Sequence, residues 1–148
     1  MTVDRSYVEQ NRVQRERLRA LVGRWSDREL SRPLPADWTV AAVLGHLAFW
    51  DQRILALVDQ WEHGKVPPEF DDRTTDWIND AGKPMLLALT PRTVADLAVS
   101  VADAVDRRLE SVSDEQAARN AAAGNVLNFN RAHHRREHLD DIEARLRG

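Results

Sequence analysis

The run WTVAAVLGHLAFWDQRILALV, residues 38–58, decides the fold. Thr39 stands immediately before an apolar stripe and is a natural N-cap, because its hydroxyl can accept a hydrogen bond from one of the unpaired N–H groups of a first helical turn. Val40, Val43, Leu44, Leu47, Trp50, Ile54, Leu55, Val58 and Trp61 then recur at the three- and four-residue spacing of one helix face. His46 lies one turn from Ala42 and Trp50 and close to Val43 and Leu47, on the inward half of that helix. A buried imidazole there needs a partner.

Outward from this helix the pattern repeats three times. Before it, residues 4–22 place Tyr7, Leu18, Leu21 and Trp25 among Arg5, Glu9, Arg12, Arg15, Glu16 and Arg19, an amphipathic helix with a charged outer face. Pro33 and Pro35 break the chain between the two. After it, EHGKVPPEFDD (residues 62–72), with Pro67 and Pro68 adjacent, is turn-forming, and a short helix is permitted around Asp76–Ala81; this long connection is where a lid or substrate loop would lie. Thr90 followed by Pro91 opens a third helix through Val94, Leu97, Val101, Val105 and Leu109 to about Ser111. SVSDEQAARNAAAG (residues 111–124) is a polar, alanine-rich second connection, and a last helix starting between Asn125 and Asn130 buries Leu139, Ile142 and Leu146. No stretch alternates in the manner of a strand. The expected fold is all-α: a single domain over residues 1–148, a four-helix bundle with long crossover connections.

Composition narrows the chemistry. The chain has no cysteine, so disulfides, Cys-type zinc sites and a protein thiol nucleophile are excluded, and any thiol chemistry must use an external thiol. A formal net charge of −3 offers no basic field for nucleic acid. No apolar leader segment and no apolar stretch near the ~20 residues that cross a bilayer are evident, so the expected location is cytoplasmic with no membrane partner.

His134 and His138, in HHRREHLDD, stand four residues apart, which puts two imidazoles on one helix face about 6 Å apart. With His46 they would form a three-imidazole metal site with an open position for water or substrate. Read one at a time, the pair is equally a surface feature favoured by the helix dipole, and His46 a hydrogen-bonded core residue. His133, rotated by about 100° from His134, is expected to be exposed, and His63 sits in the Gly/Pro-rich connection. His134-x-x-Glu137-His138 has the order of inverted zinc peptidases, five residues of likeness only; Glu137 is kept as an acid/base candidate. Asp141, one turn past His138, is a candidate to orient an imidazole, and Arg53, two turns past His46, a candidate for a substrate or cofactor carboxylate. Measured from their helix starts, the three histidines sit at similar depths of about 10 Å, so they would meet if the second and fourth helices run parallel.

The Trp-Thr entry to the second helix with its His-Leu two turns later, and the late HRREHLDDI, resemble the DinB/YfiT-like superfamily of metal-dependent enzymes. That superfamily includes proteins like the N-terminal part of mycothiol-dependent maleylpyruvate isomerase and bacillithiol transferases. The resemblance implies a four-helix bundle of crossover topology, often homodimeric, with a divalent metal on His46, His134 and His138. Arg135 stands where the family frequently has an aromatic residue. Imidazole ligands suit zinc, nickel, iron or copper. The implied function is a thiol S-transferase or isomerase joining a low-molecular-weight thiol such as mycothiol, bacillithiol or glutathione to a small electrophile. The competing readings are a metal-dependent hydrolase, a non-catalytic binding or stress-response module with a structural metal, and a small-ligand carrier.

Overall fold

Thr39 does cap the central helix: its side chain accepts from the Ala42 N–H, and α3 runs from Val40–Glu62. The structure, a computed structural model, describes residues 2–65, 67 and 69–148; of the adjacent prolines, Pro68 lies outside the described residues. The other elements are α1 (Tyr7–Arg24), α2 (Asp27–Leu30), β1 (Pro33–Leu34), β2 (Trp38–Thr39), α4 (Asp72–Ala88), α5 (Pro91–Glu110), α6 (Asp114–Ala122) and α7 (Ala132–Arg147). The fold is all-α, and its four core helices α1, α3, α5 and α7 are those the periodicity indicates.

Contacts along the helices give the directions. Tyr7 meets Leu109 while Arg92 meets Val22, so α1 and α5 are antiparallel. Gly45 lies against Val94 and Arg108 reaches Asp59, so α3 and α5 are parallel, joined by the crossover that carries α4. Asn11 meets Arg131 and Arg17 meets Glu143, so α1 and α7 are parallel. The bundle is therefore up-down-down-up.

Three expectations need correction. First, α3 and α7 are antiparallel: Asp51 pairs with Arg131 and Arg135, His46 meets His134, and Arg32, ahead of α3, reaches the carbonyl of Leu146. Similar depths from the helix starts require a parallel pair only where the two helices share an end, but α7 begins at the level of Asp51, and the distal part of α3 packs on Leu109, Leu127 and Phe129 instead. Second, α4 is a 17-residue helix that continues through Gly82 and Pro84 rather than stopping at Ala81. It buries no residue, so the carbonyl that Pro84 leaves unbonded meets water and the interruption is tolerated. Third, residues 111–124 hold a real helix, α6, opened by a capping box in which Ser113 and Gln116 serve each other's backbone N–H groups.

Two smaller departures occur. Pro33–Leu34 and Trp38–Thr39 pair as a minimal antiparallel ladder, closed by Ala36 and Asp37 in left-handed backbone conformations. α3 is also long and apolar enough to cross a bilayer by length and composition, although 56% of its most apolar window is buried within the bundle.

The core is divided. One cluster gathers Leu18, Trp25, Val40, Leu44, Leu47, Ala98 and Leu139; the other gathers Tyr7, Ile54, Leu57, Val105, Leu109 and Phe129. Between them lies a layer of buried polar side chains: Asn11, Asp51, Asp106, Arg131 and Arg135. Arg135, 1% exposed, donates to both Asp106 oxygens at 2.9 and 2.8 Å and to Asp51 at 3.1 Å, and Arg131 donates to Asp51 at 2.8 Å. Burying charge is costly unless it is paired and hydrogen-bonded, and here each guanidinium has a carboxylate.

Candidate metal centre

His46 sits in the second turn of α3, and His134 and His138 sit on one face of α7, which the Asp51 ion pairs hold against α3 on either side of His134. The three rings converge, with centroids 4.9 Å apart for His46 and His134, 5.0 Å for His46 and His138, and 4.9 Å for His134 and His138. The Nε2 atoms of His46 and His134 are 3.0 Å apart, and one ring nitrogen from each residue falls within 4.8 Å of the others. Nitrogens bound tetrahedrally to one ion at ~2.0–2.1 Å stand about 3.3 Å from one another, so this spacing fits a single cation.

Electrostatics agree with the geometry. Burial, then the neighbouring His138, pushes His46 down to about 4. Burial likewise lowers His134, with His138, His46 and Arg131 adding to it, and burial lowers His138 against the opposing pull of Glu137 and Asp141. All three are therefore neutral at pH 7, the form in which imidazole presents a lone pair. Two uncharged nitrogens facing each other at hydrogen-bond distance satisfy only one donor and one acceptor, whereas a cation satisfies every lone pair in the cluster. The residues present fit a divalent metal.

The surroundings come from four elements. The β1–β2 turn sets Trp38 edge-on to His46 at 6.0 Å, and Trp50, one turn along α3, stands at 6.5 Å on another side. Asn79 of α4 accepts from the Trp50 indole at 2.8 Å and lies beside His46. A cleft of about 400 Å³ opens at His46 and His138 between Trp38, Val43, Asn79, Asp141 and Arg145. A second lobe of about 180 Å³ runs from His46 under α4.

The other predicted residues are dispersed. Asp141 lines the cleft, its carboxylate held by Arg145 at 3.0 Å. Glu137 points to solvent beside His133, 3.8 Å away, and does not line the cleft; His133 is exposed as expected. His63 caps the end of α3, bonded to the Asp59 carbonyl, remote from the cluster. Arg53 meets no carboxylate among the described residues; its guanidinium lies 4.6 Å over the Phe70 ring and 5.5 Å over Trp50, at the margin of the site. Arg135 turns away from the histidines into the polar layer, so it does not line the pocket where the family often has an aromatic. Missed in the sequence were Trp38, Trp50 and Asn79 as walls of the site. The Trp-Thr entry was legible, but Asn79 carries no local signal, since its place depends on how α4 lies across α3.

A family model described as the DinB superfamily matches residues 10–140. Neither the curated proteins nor the solved structures compared with the chain gave a match.

Proposed function

The chain belongs to the DinB superfamily, and from that premise we propose that it is a metal-dependent enzyme of the thiol S-transferase or isomerase type, acting on a small electrophile with an external low-molecular-weight thiol. The observation that carries the reading is the convergence of three neutral imidazoles, with no carboxylate among them, at an open cleft that His46 and His138 line. His46, His134 and His138 would hold the ion. When bound, zinc, nickel or iron keeps its full positive charge among neutral ligands and supplies Lewis-acid activation of a thiol or water at its open position. The chain's own groups then shape what enters. Trp38 and Trp50 pack edge-on against His46 from two sides, and Asp141 with Arg145 makes a charged rim able to meet the polar part of a thiol cofactor. The absence of cysteine fits a thiol brought from outside.

The test is elemental analysis of the wild type beside His46→Ala and His138→Ala, followed by conjugation assays with mycothiol, bacillithiol and glutathione against a generic electrophile. One equivalent of metal lost in both variants, with helicity kept and thiol consumed only by the wild type, supports the proposal. Ester cleavage without thiol consumption redirects it to the hydrolase, and metal retained in both variants refutes it. The proposal extends to a homodimer in the cytoplasm. Trp77 and Leu87, 71% and 41% exposed on α4, offer apolar area for a second copy, which sedimentation measures.

A further inference from the structure

The lobe under α4 differs in kind from the cleft beside it. Its walls are carbon: Trp38, Phe49, Ile78, Met85 and Leu86 surround it, with the flat backbone of Gly82 on one side. Polar side-chain atoms are few, those of His46, Asn79 and the Trp38 indole N–H, and the Asn79 oxygen is already taken by the Trp50 indole. At about 180 Å³ it is close in size to the ~150 Å³ apolar cavities that stay dry and take up benzene. It shares Trp38, His46 and Asn79 with the larger cleft, so a molecule at the imidazole cluster touches both.

From this we infer that the α3–α4 lobe is a specificity subsite, and that the electrophile taken by the site carries a single aromatic ring, seated in the lobe with its reactive end toward His46. The inference rests on the proposed enzyme function for the word electrophile; the binding preference itself stands on the lobe alone. Gly82 forms part of the wall of the seat. A Cβ built there meets no atom within 4 Å, so a larger side chain has room to extend and to reduce the volume that the ring uses. Met85 and Phe49 line the lobe and are 73% and 48% exposed, and the three rotatable bonds of Met85 let it fold over an occupant. Apolar side chains left in water around an apolar recess are a standing contribution to binding, since an occupant buries both its own surface and theirs.

The experiment is a ¹⁹F NMR titration of the whole protein, with its metal content measured on the same samples. The ligands are 4-fluorobenzyl alcohol, a fluoronaphthyl methanol and 2-fluoroethanol, each titrated into wild type and into Gly82→Leu. Leucine is a better helix former than glycine, so the variant is expected to keep the fold, which circular dichroism checks. The single-ring alcohol should bind at millimolar concentration or tighter, at least tenfold tighter than fluoroethanol and more tightly than the naphthyl compound. Gly82→Leu should weaken it tenfold or more with no change in metal content. Equal affinity of the ring compound for both proteins, or no saturable binding by wild type, overturns the subsite. Should Gly82→Leu lose its helicity, Met85→Ala and Phe49→Ala, both at exposed positions, replace it, with a threefold or greater weakening expected of each and unchanged binding overturning the inference. A ring preference kept by protein stripped of its metal upholds the lobe independently of the metal-dependent reading, which the elemental analysis of the histidine variants tests separately.

Discussion

Replacing Asp51 by alanine removes a carboxylate that is 3% exposed and accepts from Arg131 at 2.8 Å and from Arg135 at 3.1 Å. The two guanidinium groups do not suffer equally. Arg135 keeps both bonds to Asp106, whereas Arg131, 5% exposed, loses its carboxylate partner. Breaking a buried pair from one side costs about 3–5 kcal/mol, and the retained Asp106 contacts place this case near the lower end, about 3 kcal/mol. In a domain of this size that is a fall in Tm of roughly 6–12 °C. The damage should also reach the histidines, because Arg131 and Arg135 stand one turn apart with His134 between them and fix the height of α7 against α3. Asp51→Ala is therefore expected to weaken metal binding as well as stability. Asp51→Asn, which keeps the volume and one acceptor, should fall between it and wild type in both. Thermal unfolding read by circular dichroism gives the stability as Tm, and competition with a chelator of known affinity gives the metal. A Tm within about 2 °C of wild type for Asp51→Ala would show that the polar layer is not what sets α7 in place.

Gly45→Ala builds a Cβ 2.8 Å from Val94 Cγ1 and 2.6 Å from Leu86 Cδ2; overpacking of this kind costs about 1–3 kcal/mol, and since Leu86 is on the lightly held α4 the variant should also loosen that helix, visible as faster amide exchange across residues 72–88. Ala36→Gly relieves a left-handed backbone at φ 58° and is expected to stabilise the turn under Trp38 by about 1 kcal/mol, read as a raised urea midpoint. Thr39→Ala deletes the acceptor of the Ala42 N–H and should cost about 1 kcal/mol by the same measurement. For the metal-free protein, His46 is neutral in the fold down to pH about 4 but titrates near its ordinary value when unfolded, so the unfolded chain binds the extra proton between those values. Stability is then full above about pH 6.5 and falls as pH drops toward 4, and His134 and His138, lowered in the same direction, deepen the loss. In His46→Phe the slope in that window should be shallower.

What was legible in the sequence was whatever depends on spacing along one helix. The apolar stripe from Val40 to Trp61, the Thr39 cap, Pro91 at a helix start and the histidines four residues apart are local facts, and each has its counterpart in the structure. α6 was missed although Ser113 and Gln116 have capping-box spacing and the alanine-rich run after them favours a helix, because that run has no large apolar stripe to set it apart from a connection. The polar layer was not legible. Asp51, Asp106 and Arg135 each read as a charge on an amphipathic helix, and only the packing of four helices shows that they neutralise one another at mid-height.

The direction of α7 shows why the site can be foreseen where its topology cannot. Convergence of His46 with His134 and His138 needs only that the two helices pass at the right height, and sliding either helix along the other can supply that height in either direction. Here the slide is large: α7 starts beside Asp51, half-way along the 23-residue α3. The charges that flank His134 are what hold it there, since a shift of one turn would part Arg131 and Arg135 from Asp51 and leave buried ions unpaired. The imidazole cluster and the polar layer are thus one construction. The histidines supply the ligand atoms, and the buried ion pairs fix the helix height at which those atoms meet.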